Sequence, residues 1–374
     1  MNVSERRLLQ SILGQPTAPF REHYVRAALE GAARALGLRP RHDRFGNLYI
    51  AYRRGQARPL ALTAHMDHPG FELLSSGRLV HAALLGGVDP KNLRGSRVRL
   101  YAEAAKHHAH PPVRPPHPVR GRITAVHSTL PPGSRRPKVE VEIACEAEVA
   151  LPAFGHFDLP GMELHGGMLR SKALDNLLSC ALILATFARL QRRRAVANVL
   201  GVFTRAEEVG FVGAGGVLRS KILTPQRPLV VLETSKALPS APMGAGPVLR
   251  VGDRMTCFDP EMDLWLADSA AELARTQPGF HYQRALMTGG ACEASLFMLH
   301  GRRVGALAMP LGNYHNMTPR GGIGAEYIST NDFDQALMLL EHLATQPPRP
   351  NHLESHRAGL DAIFARLSPR LHSS

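Results

Sequence analysis

The segment from Asn198 to Gly213 constrains the fold most strongly, because an apolar strand pattern runs directly into two adjacent acids. Residues 199–203 are apolar and rich in β-branched side chains, which predicts a buried strand of a parallel sheet. Glu207 and Glu208 follow, and a glycine-rich stretch comes after them. Open α/β sheets form their sites at the carboxyl ends of strands. The pair is therefore a candidate site in which one acid holds a metal ion and the other moves protons, with a solvated turn as the alternative.

The composition is that of a globular protein without a membrane span. Of the 374 residues, 44% are hydrophobic and 20% are charged, and this length suits one large domain or two of ordinary size. No run approaches the roughly 20 apolar residues needed to cross a bilayer. The first residues lack the long apolar stretch of a secretory signal. We therefore expect a cytoplasmic protein with no membrane partner.

Charge and cysteine content argue against two further classes of function. The formal charge is +14, but the positive residues are spread along the chain. Their only tight run, 192–194, lies where a helix should end and where cations suit the helix dipole. No recognisable nucleic-acid module accompanies them, so we expect no nucleic-acid partner. The four cysteines form no Cys-x-x-Cys pair, which disfavours both a disulfide framework and a thiolate zinc site.

Hydrophobic periodicity predicts an α/β scaffold. The predicted helices are 6–12, 22–36, 172–191, 262–273, 294–299, 332–344 and, more weakly, 360–367. The predicted strands of the scaffold are 48–52, 60–64, 199–203, 228–232 and 304–309.

The region from about Glu72 to His165 interrupts this scaffold. It has no helical periodicity, and its short β-like pieces predict a small inserted β-domain. These pieces are 79–84, 97–101, 119–126 and 139–143. Within the region, the segment 106–118 combines prolines with histidines, namely His107, His108, His110 and His117. Metal binding is one interpretation of this segment, but the interleaved prolines and the lack of an acid favour a mobile surface loop.

Potential metal ligands or bases follow four of the apolar strands and open one buried helix. They are His65, Glu207, Glu208, Glu233, His315 and, in the first turn of the helix 172–191, Asp175. Any one of these residues could simply cap a helix or form a hydrogen bond in the core. Neither role explains why all of them fall at one edge of the predicted sheet. Histidines and carboxylates without cysteine are typical of a catalytic divalent ion, most often zinc. The number of ligands suits two ions that share a bridging carboxylate. Asp67 is placed to accept a hydrogen bond from a ligand imidazole.

Several short motifs, spread between about residue 10 and residue 345, occur in the order and at the spacing of one known family. They are Phe45-Gly-Asn-Leu48, Ala64-His-Met-Asp67, Ala173-Leu-Asp-Asn176, Phe203-Thr-Arg-Ala-Glu-Glu-Val-Gly210, Gly244-Ala-Gly-Pro-Val-Leu-Arg250 and Tyr314-His315. Through them the chain resembles the dinuclear metal aminopeptidases of the glutamyl/deblocking aminopeptidase family, whose best-known members form tetrahedral assemblies.

The resemblance implies two divalent metal ions per chain. One ion would be held by His65, Asp175 and Glu233. The other would be held by Asp175, Glu208 and His315, with Asp175 as the bridge. Zinc is the expected metal, and cobalt and manganese are the alternatives.

The resemblance also implies the catalytic roles and the architecture. Glu207 would be the general base that activates the metal-bridging water. We expect Asp67 to be the second catalytic residue. The implied fold class is α/β, a three-layer sandwich around a mixed, largely parallel sheet of the zinc-peptidase/phosphorylase-hydrolase kind, with an inserted small β-barrel-like domain. We expect a discontinuous catalytic domain formed by residues 1–72 and 166–348. Residues 73–165 are expected to form an inserted dimerisation domain, and residues 349–374 a polar C-terminal tail. The expected assembly is a homo-oligomer, either a dimer or a dodecamer of dimers.

Three departures from the family pattern bear on substrate selectivity. His68 and Pro69 replace an acid and an aliphatic residue. Glu233 stands where the family usually has aspartate, and Gly289-Gly-Ala-Cys-Glu293 replaces a Gly-Gly-Thr-Asp signature.

These departures keep three hypotheses open. The first is a metallo-aminopeptidase that removes N-terminal residues from short peptides or aminoacyl substrates. The second keeps the metal chemistry but acts as an N-acyl amino acid deacylase or related amidohydrolase, and a requirement for a free amine would separate the two. The third is a non-catalytic assembly protein on the same fold, which the retention of Glu207 beside a full ligand set disfavours.

Overall fold

The computed structural model describes residues 1–103, 114–132, 137–349 and 351–372. His107, His108 and His110 lie outside the described residues, so the loop interpretation of the segment 106–118 stays a prediction. Among the described residues, no helix combines the length and the apolar character that crossing a membrane requires.

The described residues contain eight α-helices. They are α1 (Val3–Leu13), α2 (His23–Ala35), α3 (Leu174–Arg193), α4 (Val212–Arg219), α5 (Pro260–Thr276), α6 (Glu293–Leu299), α7 (Thr330–Thr345) and α8 (His352–Leu367). The helix α4 was not predicted, because three of its eight residues are glycine, a poor helix former. The helix α8 begins at His352, eight residues before the predicted start at Leu360.

The described residues also contain seventeen β-strands. They are β1 (Pro40–His42), β2 (Leu48–Arg54), β3 (Pro59–His65), β4 (Gly70–Leu73), β5 (Gly77–Leu85), β6 (Arg97–Ala102), β7 (Val119–Thr129), β8 (Lys138–Val149), β9 (Ala153–Phe157), β10 (Glu163–His165), β11 (Met168–Ser171), β12 (Ala197–Thr204), β13 (Leu229–Lys236), β14 (Val248–Gly252), β15 (Gln283–Leu286), β16 (Val304–Leu311) and β17 (Glu326–Ser329).

A mixed eight-stranded sheet forms the centre of the scaffold, in the order β1-β2-β12-β3-β13-β16-β14-β15. The four middle strands β12, β3, β13 and β16 run parallel to one another. One correction concerns β13, which was predicted to end before Glu233. It continues to Lys236, so Glu233 lies inside the strand.

Helices cover both faces of this sheet, which explains why its middle strands are almost continuously apolar. On β12, Val199 and Phe203 join a core with α1, α2, α3, α5 and α7, whereas Leu200 and Val202 join a second core with α4 and α6. The alternation follows from the two-residue period of a strand. The predicted three-layer α/β sandwich is confirmed.

The inserted region is a closed six-stranded barrel in the order β4-β5-β8-β7-β6-β9. The strand β9 pairs with β4 and closes the ring. The barrel has its own apolar core, which includes Phe71, Val98, Ile143 and Phe157. The prediction of a small β-barrel-like insert is therefore confirmed. Because a closed barrel has no free strand edges, the barrel cannot pair two subunits by extending its sheet from one subunit to the next.

Candidate metal centre

The parallel strands bring the predicted site residues together at one edge of the sheet, because the carboxyl ends of neighbouring parallel strands meet there. All of these side chains are buried. They are His65 at the end of β3, Glu207 and Glu208 after β12, Glu233 within β13, Asp175 at the start of α3 and His315 after β16.

Asp175 lies between the two histidines. Its Oδ1 is 3.3 Å from Nε2 of His65, and its Oδ2 is 3.6 Å from Nε2 of His315. The backbone of Asp175 is not helical (φ −82°, ψ 99°), so the regular part of α3 begins only after Asn176. Each oxygen of this carboxylate therefore faces a different imidazole, which is the arrangement that a bridging ligand requires.

The other carboxylates divide between the two histidines. Oε2 of Glu233 lies 3.7 Å from Nε2 of His65, and Oε2 of Glu208 lies 3.3 Å from Nε2 of His315. Oε2 of Glu207 is 3.9 Å from the His65 nitrogen. By distance alone, Glu207 also forms a three-donor group with His65 and Glu233. Distance therefore leaves Glu207 either as a ligand or as a base beside the ligands.

The donor set fits divalent cations. Oδ1 of Asp175 and Oε1 of Glu208 are buried and have no hydrogen-bond partner among the described residues. Burying an unpaired carboxylate oxygen is costly, and cations remove that cost. Four buried carboxylates face only two imidazoles here, so the cluster carries excess negative charge. Imidazole nitrogens and carboxylate oxygens are together the usual donors for zinc.

The excess of negative charge in this cluster raises the pKa values of several of its ionisable side chains. Burial by itself lowers the pKa of His65, but the facing carboxylates, with Glu207 foremost, raise it well above its ordinary value. His315 behaves in the same way, with Glu208 as the main charge that raises its pKa. Burial raises the pKa of Glu207 well above its ordinary value, and Glu233 adds to the rise. The cluster therefore favours positive charge at this position, which protons or metal ions can supply.

Asp67 holds the Glu207/Glu208 pair through the main chain. Its Oδ1 accepts the backbone N–H of Glu207 at 2.9 Å, and its Oδ2 accepts the backbone N–H of Glu208 at 3.1 Å. The nearest contact of His65 Nδ1 is the backbone oxygen of Asp67 at 3.1 Å, while the Asp67 carboxylate is 3.5 Å away. The expected hydrogen bond to the imidazole thus involves mainly the backbone of Asp67, and its side chain fixes the two glutamates.

Glu326 performs the same task for two other candidate ligands, and sequence reasoning missed it. Its Oε2 accepts the backbone N–H of Asp175, and its Oε1 accepts the backbone N–H of His315, both at 2.9 Å. His315 has a positive φ of 53°, a conformation that costs energy for a residue other than glycine. The bond from Glu326 helps to hold it there. A lone acid at the start of a short strand gave no signal of this role.

His68, a departure from the family pattern, also supports the site. Its side chain is buried, with Nδ1 hydrogen-bonded to the backbone oxygen of Asp175 and Nε2 3.0 Å from Oδ1 of Asn316. Burial lowers the pKa of His68. The His68 ring contacts both the segment that carries Asp175 and the segment that carries His315, and so it links the two.

The cluster opens into a cavity of about 400 Å³ between the sheet edge and the barrel. The barrel contributes Gly87 and Val139, and Nδ1 of His315 lies 2.8 Å from the backbone oxygen of Gly87. Three basic residues also line the cavity, and sequence reasoning did not single them out. They are Lys236, Arg250 and Arg254.

The sequence matches the M42 glutamyl aminopeptidase family over residues 46–325. The chain belongs to this family. Membership in the M42 family identifies it as a metal-dependent aminopeptidase, and the predicted enzyme class is confirmed.

The chain is also similar to individual proteins. A protein of Acetivibrio thermocellus whose name calls it an aminopeptidase is 25% identical over 317 residues, which are 80% of this chain and 86% of that protein. A glutamyl aminopeptidase of Lactococcus lactis subsp. cremoris is 29% identical over 216 residues, 54% of this chain and 58% of that protein. Among solved structures, the fold is similar to that of the TET1 peptidase of Pyrococcus horikoshii, which can assemble into a tetrahedron or a large octahedral shell. The TM-score is 0.72 at 21% sequence identity, and the matched region covers 91% of this chain and 99% of that chain.

Proposed function

We propose that this M42 family member removes N-terminal residues from short peptides at a dinuclear metal centre. The observation that carries the proposal is the position of Asp175, whose two carboxylate oxygens face two different histidines. His65 and Glu233 would complete one ion site, and Glu208 and His315 the other. Zinc is the metal that this donor set favours.

The chain's own residues would place the substrate and move the proton. When bound, two divalent ions supply Lewis acidity to the scissile carbonyl and lower the pKa of a water molecule held between them. Glu207 would take the proton of that water and deliver it to the leaving amine. Its backbone is held by Asp67, so the carboxylate is positioned without using its own oxygens. Burial raises the pKa of Glu207, which suits a group that must both accept and return a proton.

Three basic residues in the wall of the cavity favour an acidic residue at the substrate N-terminus. Lys236 and Arg254 are exposed at the cavity, whereas Arg250 is buried in its wall. A glutamate or aspartate side chain that enters the cavity meets these cations, whereas a lysine side chain is repelled.

An N-acyl amino acid deacylase is the second candidate, and the same basic residues favour it. They would bind the free carboxylate of an acyl amino acid as readily as an acidic side chain. The two candidates differ in the state of the substrate amine, which is free in one and acylated in the other.

A substrate panel tests both candidates. The protein is loaded with zinc, cobalt or manganese and assayed on glutamyl, alanyl and lysyl amides and on N-acetylglutamate, N-acetylalanine and N-acetyllysine. We expect hydrolysis of the free-amine compounds, fastest for the glutamyl amide. Arg254→Gln should lower kcat/KM for the glutamyl amide by about tenfold, roughly 1.4 kcal/mol of charge attraction, and leave the alanyl amide unchanged. Arg219→Gln, at an exposed arginine of α4, is the matched control. Hydrolysis of only the acetylated compounds would favour the deacylase.

We also propose that the chain forms a homo-oligomer in which the inserted barrel pairs subunits. The solved TET1 peptidase of Pyrococcus horikoshii can assemble into a tetrahedron or a large octahedral shell, and that likeness supports the proposal. The barrel also carries exposed apolar side chains, among them Leu79 and Leu130. Such residues become buried when two barrels pack together.

A further inference from the structure

A second group of potential metal ligands lies on the surface, where α8 packs against α5. It consists of Asp268 on α5 and of His352 and His356 on α8. The two histidines are four residues apart, so they project from the same face of the helix. Nε2 of each lies 2.8 Å from the same oxygen, Oδ2 of Asp268.

We propose that Asp268, His352 and His356 bind a divalent transition-metal ion, zinc being the first choice, which fastens α8 to the body of the protein. Two imidazoles and a carboxylate are a frequent three-ligand set for zinc, with water in the remaining position. In tetrahedral zinc sites with bonds of 2.0–2.1 Å, neighbouring donors are about 3.4 Å apart. The present nitrogen-to-oxygen separations need to widen by only about half an ångström to admit the ion. Side-chain rotation is enough for that, because Asp268 and His356 are partly exposed.

Apolar packing does little to hold α8 in place, because none of its residues is buried. Hydrogen bonds from His352 and His356 join α8 to Asp268 of α5, and Glu261 accepts the backbone N–H of His352. Just before the helix, Trp265 Nε1 donates to the backbone oxygen of Gln346 at 3.1 Å. An ion bound by both helices would convert these contacts into a cross-link, because its binding energy is available only when α8 is docked.

This site is independent of the catalytic centre. Two of its three ligands lie after residue 325, where the match to the M42 family ends. None of the three lines the cavity that holds the proposed dinuclear site.

Zinc stoichiometry is the first test. Equilibrium dialysis with zinc as the only metal compares the wild type with Asp268→Ala and with His356→Ala, and the exposed His300 provides the control His300→Ala. We expect each ligand variant to bind one zinc ion fewer per chain than the wild type, with unchanged aminopeptidase activity, and the control to match the wild type. Equal zinc content in the wild type and both ligand variants would overturn the site. Equal losses in the ligand variants and the control would do the same, because they would indicate non-specific binding to surface histidines.

Limited trypsin digestion tests the fastening itself. Arg357 and Arg366 are exposed on α8, so cleavage there reports how often the helix undocks and opens. Zinc should slow this cleavage in the wild type and in His300→Ala but not in His356→Ala, and all three should be cleaved alike in a chelator. If zinc binds to the wild type without slowing cleavage, the cross-link is refuted.

Discussion

Replacing Glu207 by glutamine separates its two geometrically allowed roles. The substitution exchanges one oxygen for an amide nitrogen and keeps the size of a side chain that is buried beside His65. The loop around it should keep its shape, because Asp67 binds the backbone N–H of residue 207 and not the side chain. The fold and the neighbouring ligands are therefore expected to survive the change.

The expected loss is that of a general base. Such a group contributes roughly two to four powers of ten to the rate, or about 2.7–5.4 kcal/mol of transition-state free energy. We expect kcat to fall by that factor while the metal content stays unchanged. A base must be deprotonated to act, so the wild-type rate should fall on the acid side as Glu207 gains a proton. Burial raises the pKa of Glu207, and this acid limb should disappear in the glutamine variant.

The matched variant is Glu208→Gln. Glu208 lies 3.3 Å from the His315 nitrogen and has a buried oxygen without a partner, so its loss should remove metal and activity together. The assay is kcat on a glutamyl amide, with metal counted by elemental analysis of the same sample. If Glu207→Gln lost metal and Glu208→Gln kept it, the two roles would be reversed. Full activity in both variants would refute the hydrolytic mechanism.

Three further predictions concern the ions, the assembly and the stability. Asp175→Ala should lose both ions in elemental analysis, because this carboxylate contacts both histidines; one retained ion would contradict the bridge. Leu79→Glu on the barrel should shift light scattering towards smaller particles, whereas Leu299→Glu, exposed at the end of α6, should not; equal behaviour would exclude this barrel face as the interface. Burial lowers the pKa of Lys172 to about 7, so the folded protein sheds this proton before the unfolded chain does and stability should rise from pH 7 towards 10. In metal-free protein, Tm should therefore rise with pH, and Lys172→Met should flatten that rise. If the slope of Tm against pH were the same in the variant, the role of Lys172 would be refuted.

Local pattern was sufficient to predict the scaffold and to place the candidate ligands at the ends of its elements. The apolar runs before His65, Glu207 and His315 are buried on both faces, and such runs are recognisable without knowledge of their partners. The predicted strand before Glu233 was ended too early, because β13 continues to Lys236. The continuation, Thr-Ser-Lys, is polar, and only pairing with β16 makes it a strand.

Local pattern was not sufficient for the residues that support the ligands. Glu326 follows Asp175 by 151 positions, yet its carboxylate binds the backbone of Asp175 and of His315. Asp67 was noticed because it is close to His65 in the sequence, but its side chain serves a loop 140 residues away. Hydrogen bonds over such separations leave no periodicity in the chain.

The sequence by itself determined which segments become buried strands and helices, because side-chain size, branching and period act within a few residues of one another. It also determined which donors stand at the ends of those segments. Only the tertiary structure decided that the two oxygens of Asp175 face different histidines, that the barrel closes without free edges and that Asp268 meets two histidines of α8. Each of these depends on the relative placement of elements far apart in the chain, which packing of the whole core specifies and no single segment encodes.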